Sequence, residues 1–531
     1  MTECNATFKF VAAYFLPGAD MNAAPHAVGI EITSKPPNTW KKEAQILLKD
    51  LNIKKLREVC PFLDMGMSDR AANKLLMQQL ESDLQAHHIP AGYYFNEMGA
   101  VYLPDGSLGF VRGDTFYPRN LTTRYLVAPE IKNITLCGDG TSPARHILKV
   151  LRMLPPQALL TIAYDILTSV RSLVIGCGVH FQAVMFITGK SGCGKSMLAK
   201  STVSLYRNKQ TGNPADIIEA ASTNAATDRI LHTMRDMSVA VEDLCLSTGR
   251  ETARKRREQG ARLVRKGTSE VPTIQAAGNR TVELHCNAGI VLTAEFTMET
   301  ESDISRCLIV PISNYLDFPD ELTPELIGDA VRLHSTWFAA HSETELGRLK
   351  KGLSTSDWGR NLAPRIRTNY LCLCWAFQSL IAALDPDGSL PSCCKALAKQ
   401  MDHALSIALE AHMKIRDKLL ESIPLGNLAA IIYAGYEKEV FDLAKNPDKL
   451  KKHDGTIWKK DLCLKSDALV QFVRTQPGFQ SWTRNRITQE LKDIGALVHQ
   501  EKRANTVHID EGLPRVYRIR LDALKDMAEY Y

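Results

Sequence analysis

The sequence lacks what several large classes of protein require. Its 13 cysteines include no CxxC pair and no His/Cys cluster at zinc-ligand spacing, which sets aside zinc ribbons and regular disulfide frameworks. Thiols scattered irregularly through a long chain, Cys372, Cys374, Cys393 and Cys394 among them, point to a reducing compartment. There is no long hydrophobic run. The most apolar stretches, 172–189 and 368–385, are broken by polar residues such as Gln182 and Asn369 and read as core elements, so no membrane span is expected. The opening segment MTECNATFKFVAAYFLPG has an early acid and an apolar run of only seven residues, a poor signal peptide, and the expected location is cytoplasmic. No repeat or long low-complexity segment stands out. The charge imbalance is small too: a formal +6 over 531 residues does not identify a nucleic-acid partner, so the placement of charge matters more than its sum.

What is present fits a soluble, multi-domain α/β chain. Apolar content of 45% and charged content of 23% are ordinary, and the length allows two to four domains. Residues 1–140 read as an α+β domain, with helical periodicity at 40–60 and 67–88 and hairpins over 93–117 around Pro104-Asp105-Gly106. It carries no catalytic constellation and is expected to serve docking, oligomerisation or DNA binding. Residues 141–385 alternate helical and strand-like segments, the pattern of a parallel-sheet core. Residues 386–450 read as a helical linker region, and 451–531 as a separate small domain.

The strongest motif is GKSGCGKS, comprising Gly189, Lys190, Ser191, Gly192, Cys193, Gly194, Lys195 and Ser196. It follows the apolar run AVMFIT and precedes a helical MLAKSTVSLY that opens with Met197, the strand–loop–helix context of a P-loop. Its glycines let backbone N–H groups face phosphate oxygens, and the helix N-terminus favours their charge. Lys195 would reach the β and γ phosphates of ATP, and the Ser196 hydroxyl would ligate Mg²⁺. Cys193 reads as tolerated beside the phosphates, not catalytic.

Such a site also needs acids on a second strand. SVAVEDL, 238–244, supplies them as Glu242 and Asp243, one to hold Mg²⁺ and one to polarise water. By position Glu242 takes the metal slot and Asp243 the base slot, although the order reverses the usual Asp-Glu. GIVLTAEF, 289–296, carries Thr293 and Glu295 where an additional-strand ATPase senses the γ-phosphate; polar strand ends are also common. Arg306, at the entrance to an apolar strand, is either an arginine reaching a neighbouring subunit's γ-phosphate or a surface residue paired with Asp303 or Glu301. In APRIRTNYLCLCWAF, Arg365 or Arg367 could contact the same phosphate from a lid helix, or lie solvated.

The order of these segments, with STNAATDRI (222–230) between the phosphate loop and the acid strand, resembles the AAA+ helicases of mobile genetic elements, relatives of minichromosome-maintenance-type and superfamily-3 helicases. The resemblance covers roughly residues 150–385. It implies a P-loop AAA+ core, a hexameric ring with ATP sites between subunits, and translocation on single-stranded DNA. The Glu-Asp order, and the want of a sensor asparagine after GIVLT, depart from the family pattern.

Two segments are candidates for DNA. Residues 249–286 hold Arg254, Lys255, Arg256, Arg257, Arg262, Arg265, Lys266 and Arg280 against four acids, with β segments flanking Ala277-Gly278-Asn279. In the resembled helicases a hairpin here grips backbone phosphates; the alternative is a solvated helix with local Glu–Arg pairs. Residues 451–531 carry 15 Lys/Arg and 11 Asp/Glu, which is +4 of the chain's +6. Helix (KSDALVQFVRTQ), turn, helix (SWTRNRITQELKDIGAL, capped by Ser481 or Thr483 and stopped at Gly495), then strands ALVHQEK and RVYRIRLDAL form a winged-helix pattern. Its second helix offers Arg484, Asn485, Thr488, Gln489 and Lys492 to duplex DNA, although winged helices also dock proteins. The expectation is an ATP-dependent DNA helicase or translocase for replication initiation on a mobile element, a homo-oligomer with ATP and Mg²⁺. The alternative is an ATP-dependent DNA-binding switch that separates no strands, and a weaker one is a packaging or clamp-loading ATPase.

Overall fold

Alternation, not helical period, governs the first strands of the chain. A computed structural model describes all residues except 1–5, 18, 20–23, 35–39, 62, 119–123, 245–249, 270, 278–279, 423–427, 477, 499–513 and 530–531. Strands β1 (Ala6–Phe15), β2 (Ala27–Ser34) and β3 (Lys41–Leu47) are followed by helices α1 (Ile53–Val59) and α2 (Asp69–Gln85). Then come β4 (Ala91–Phe95), β5 (Gly99–Tyr102), β6 (Leu108–Arg112), β7 (Thr115–Tyr117) and β8 (Arg124–Val127). One sheet has the order β3-β2-β1-β4-β8, and β5-β6-β7 is an antiparallel meander. Helical periodicity over 40–60 is therefore half wrong. Lys41–Leu47 buries Ala44 and Ile46 between exposed neighbours, the period of a strand. The helix waits for Asn52, whose side chain accepts the Lys55 N–H at 2.8 Å. The hairpin expected around Asp105 is present: its carboxylate accepts the Ser107 N–H at 2.9 Å, and Gly106 takes φ 81°.

The chain continues through α3 (Pro129–Lys132), β9 (Ile134–Leu136), α4 (Ala144–Met153), α5 (Pro156–Ser169), α6 (Arg171–Gly176), β10 (Val184–Gly189) and α7 (Lys195–Thr202). Next are β11 (Tyr206–Asn208), β12 (Ile217–Glu219), α8 (Asn224–Thr233), β13 (Ser238–Leu244), α9 (Arg250–Gly267), β14 (Thr273–Ala277), β15 (Arg280–Leu284) and β16 (Gly289–Ala294). Then follow α10 (Glu301–Ile304), β17 (Cys307–Ile312), α11 (Pro324–Thr355), α12 (Pro364–Leu384) and α13 (Pro391–Ser422). Five strands pair in parallel in the order β12-β13-β16-β10-β17. Their continuous apolar runs reflect burial on both faces. The strand carrying GIVLTA thus inserts between the phosphate-loop strand and the acid strand. Helix α5, buried from Ala158 to Ser169, backs the sheet. It comes so close that a Cβ on Gly289 would stand 2.0 Å from Thr168 Cγ2.

The N-terminal meander is bolted to this core by Arg112, which is fully buried. Its guanidinium donates to the carbonyls of Asp236 and Ser169, both at 2.6 Å. Asp236 in turn accepts from Ala100 N at 2.9 Å and Ser172 N at 2.7 Å. Nearby, Asp165 of α5 is buried, and that burial pushes its carboxyl up from 3.8 to about 7, with Ser238 opposing the rise and Asp216 adding to it. Between those two values the native state holds a proton that the unfolded chain has released. Stability is therefore lost as pH rises from about 4 to about 7. Asp165→Asn is expected to make that loss shallower and to raise the melting temperature most above pH 7, read by thermal melts across pH 4–8.

The described chain divides into two compact units, Met1–His412 and Met413–Tyr531, and α13 runs through the boundary. The second unit contains α14 (Leu428–Glu437), β18 (Leu443–Ala444), a 3₁₀ turn (Pro447–Lys452), β19 (Gly455–Trp458), β20 (Asp461–Lys465), α15 (Ser466–Thr475), α16 (Arg484–Asp493), β21 (Val516–Arg520) and α17 (Leu521–Glu529). Its sheet order is β18-β19-β20-β21. The helix–turn–helix expected here is present, with Thr483 capping α16 by accepting the Arg486 N–H at 3.3 Å. Two strand expectations change. RVYRIRLDAL is a strand only to Arg520, after which α17 begins. In ALVHQEK only Leu497 bridges, to Ile519, and the segment from 499 lies outside the described residues. Among the described residues, no helix is long and apolar enough to cross a membrane.

Candidate functional site

The phosphate loop owes its shape to three glycines and a buried thiol. Gly192 and Gly194 take φ 75° and 95°, which side chains rarely adopt. Gly189 lies against the neighbouring strand: a Cβ there would meet the Ile312 carbonyl at 2.4 Å and Cys193 Sγ at 2.8 Å. Cys193 is only 7% exposed, so its thiol packs beneath the loop and is not offered to phosphates. Its place in the motif is thereby explained as packing, an account that spacing alone could not supply. Lys195 opens α7, and its ammonium donates to the carbonyls of Gly189 at 3.0 Å and Lys190 at 2.7 Å. Met197, in the first turn of α7, is about half exposed.

A cavity of about 300 Å³ opens above the loop, walled by Ser191, Gly192, Gly194, Lys195, Ser196, Met197, Asp243, Leu244, Thr293, Ala294, Glu295 and Tyr315. Most of the expected nucleotide residues therefore converge on it. β13 slips register against β16 between Val241 and Leu244, and Asp243 takes φ 68° within the slip. This turns Asp243 outward, while its N–H donates to the buried Thr293 hydroxyl at 3.3 Å. Glu242 does not line the cavity. Its largely buried carboxylate lies beside the Ser196 hydroxyl and 3.8 Å from Lys200, and its Oε1 is buried with no hydrogen-bond partner. Burial raises this carboxyl above the usual range, against the pull of Lys200 and Ser196, and Asp243 adds to the rise. Tyr315, 66% exposed on the rim, was not singled out from the sequence, because a lone aromatic in a loop gives no periodic signal.

Arg306 lies elsewhere. Val184 N donates to the Arg306 carbonyl, so Arg306 is level with the start of β10, while the phosphate loop leaves from its end at Gly189, paired with Ile312. Its guanidinium donates to the Ser302 carbonyl at 2.6 Å and to the Ser302 hydroxyl. Among the described residues it forms no ion pair. Asp303 is taken instead by Arg265, bidentate at 2.9 and 3.0 Å, and by the Thr300 hydroxyl at 2.8 Å. Arg365 donates to the Ser305 hydroxyl at 3.3 Å, and burial and then the nearby Arg306 charge lower its pKa. Arg367 is committed to the carbonyls of Ser356 at 2.6 Å and Trp358 at 3.1 Å.

The basic segment forms α9 and an antiparallel hairpin, β14 with β15, around the tip residues 278–279, which lie outside the described residues. Three of its cations, Arg262, Arg265 and Lys266, pair with buried acids. Arg257 pairs with Glu299, and Arg262 with Asp228 at 2.8 Å. Lys266 is 8% exposed, 3.4 Å from Asp228 and bonded to the Thr273 hydroxyl, so in this fold it cannot meet a phosphate. Arg265 is exposed but tied to Asp303, Arg256 bonds Gln259 at 3.1 Å, and Arg280 opens β15. In α16, Arg484, Asn485 and Gln489 are exposed, and Lys492 is partly so. Arg484 pairs with Asp467 at 2.7 Å and Gln489 with Asp493 at 2.7 Å. Thr488 is corrected outright as a groove contact. It is 4% exposed, donates to the Arg484 carbonyl and meets the Tyr517 hydroxyl, because the helical period turns it to the core. Arg486, missed in the sequence, is exposed and stands 4.2 Å over the Trp482 ring.

No protein-family model and no curated protein matches the chain. Among solved structures it is similar to the SCCmec type IV Cch helicase, at 14% identity over 98% of this chain and 95% of that one, with a TM-score of 0.45. It is also similar to the JCV helicase, at 15% identity over 50% of this chain and 64% of that one, with a TM-score of 0.20. A third likeness is to the C-terminal region of NrS-1, at 11% identity over 96% of this chain and 95% of that one, with a TM-score of 0.26. At identities of 11 to 15%, residue roles have to come from this chain's own geometry.

Proposed function

We propose that this chain is an ATP-hydrolysing DNA translocase and helicase, working as a ring with ATP bound between subunits, and serving replication initiation on a mobile element. The observation that carries the reading is the distance between Arg306 and its own phosphate loop. They lie at opposite ends of strands six residues long, a separation of about 20 Å. A guanidinium placed there, hydrogen-bonded to Ser302 and with Arg365 beside it, is out of reach of its own loop, which supports a role toward a phosphate brought by another subunit. Lys195, Ser196, Asp243 and Thr293 meanwhile line the cavity at the far end of the sheet.

Within that cavity Lys195 would exchange its loop carbonyls for β- and γ-phosphate oxygens. Asp243, exposed at the rim and held by Thr293, would orient the attacking water and accept its proton. The Glu242 carboxylate, beside the Ser196 hydroxyl and with its Oε1 orphaned, fits a divalent cation. Ser196 and Glu242 would hold Mg²⁺, which neutralises phosphate charge. Among the described residues no three metal-binding side chains cluster, so the remaining ligands would be phosphate and water oxygens. The β14–β15 hairpin would follow one DNA strand, and α16 would meet duplex through Arg484, Asn485, Arg486 and Gln489.

The test is strand displacement on forked DNA by the full chain with ATP and Mg²⁺. Displacement is the expected result. DNA-stimulated hydrolysis with no displacement would point instead to an ATP-dependent switch.

A further inference from the structure

The second unit carries a basic surface on the sheet face opposite α16. One face of that sheet packs Leu462, Leu464, Tyr517 and Ile519 against Ile487 and Leu491 of α16. The other face packs Cys463 and Val516 against Leu450, with Trp458 alongside. At the end of the β19–β20 hairpin, Trp458 pairs with Asp461, leaving a two-residue turn of Lys459 and Lys460. Both lysines take positive φ, 50° and 70°. A turn of that kind favours Asn-Gly, so its residues are chosen here against local preference. Two cations lie over the Trp458 ring: the Lys459 ammonium at 4.5 Å and the Arg518 guanidinium at 4.8 Å from its centre.

The surrounding charge is one-sided. Lys445, Lys449, Lys451, Lys452, Lys459 and Lys460 are all exposed, and none forms an ion pair among the described residues. The acids nearby are largely engaged. Asp461 holds Arg518 at 2.6 Å, Asp442 holds His453 at 2.9 Å, and Asp454 accepts the Asp442 N–H. Asp448 is exposed on the 3₁₀ turn.

We infer that this face, led by Lys459 and Lys460, binds the phosphodiester backbone of nucleic acid separately from α16. The indole is covered by its own cations and is not offered to a base, so the contact is with phosphates and is independent of sequence. The choice of nucleic acid over an acidic protein rests on the DNA-motor reading. A backbone contact on the face away from α16 would engage a separate stretch of nucleic acid from the one α16 meets.

Lys459→Asn with Lys460→Gly separates charge from fold, since Asn-Gly suits this turn better than the native pair. In the full chain this double variant should melt no lower than the unaltered protein. Its binding to fluorescent duplex and single-stranded oligonucleotides of equal length, measured over a salt series, should weaken. The slope of log affinity against log salt on duplex should shrink by roughly 2, one per lost phosphate contact. Lys459→Arg with Lys460→Arg should restore both affinity and slope. If the unaltered chain binds DNA and the Asn-Gly variant matches it in affinity and slope, this inference fails while the DNA reading stands. If the unaltered chain binds neither oligonucleotide at low salt, both fail. Loss of binding to polyglutamate with DNA binding intact would assign the face to acidic protein and also overturn it.

Discussion

Lys195→Ala is expected to lower ATP hydrolysis at least a hundredfold, because it removes the cation that the phosphate loop itself aims at charge developing on the transferred phosphoryl group. The prediction is sharp because the loop does not depend on the lysine for its shape. Gly192 and Gly194 set the turns, Gly189 fits against Ile312, and Cys193 packs beneath. The ammonium only caps the carbonyls of Gly189 and Lys190. The variant should therefore fold, melt close to the unaltered chain and still form oligomers while releasing almost no phosphate. Phosphate release and thermal melting on the same preparation check this. Hydrolysis within a few fold of the unaltered rate, by a well-folded variant, would remove the catalytic assignment of the loop.

What could be read from the sequence was local, and what could not was decided across the chain. The parallel strands announce themselves as apolar runs next to the phosphate loop and the acid pair. Thr483 as a cap and Asp105 in its turn follow from side chains that bond backbone two or three residues away. Lys41–Leu47 looked helical because its charges recur at a mixed spacing; pairing with β2 fixed period two. Lys266 and Arg265 read as cations available to DNA because their partners, Asp228 and Asp303, lie 38 residues away in sequence. Thr488 passed as a groove residue on composition, although the placement of Ile487 and Leu491 in the core turns it inward. The inserted β19–β20 hairpin escaped notice because Trp-Lys-Lys-Asp carries no turn residue. For the candidate site, the residue types and the expectation that Arg306 serves a neighbouring subunit were legible. That Asp243 faces the cavity while Glu242 does not was not legible, because the slip of β13 against β16 decides it.

Chains carrying Arg306→Ala are expected to hydrolyse ATP about a thousandfold more slowly, yet to recover activity when assembled with Lys195→Ala chains, which are themselves inactive. Each inactive chain retains what the other lacks. If Lys195 and Arg306 meet across a subunit boundary, an Arg306→Ala chain supplies an intact phosphate loop and a Lys195→Ala neighbour supplies the arginine. Random assembly of equal amounts would leave about a quarter of the head-to-tail interfaces complete, and hydrolysis should return to about that share. If both residues acted within one chain, every site in the mixture would still lack one of them and nothing would return. The geometry argues against the second case: Arg306 lies level with Val184, and closing the gap to Gly189 would require crossing the full length of a buried parallel strand. Arg365 should behave as Arg306 does in the same mixture, since its guanidinium meets Ser305 at the same end of the sheet. Arg367→Ala should instead lower the melting temperature, because its guanidinium is bonded to the Ser356 and Trp358 carbonyls.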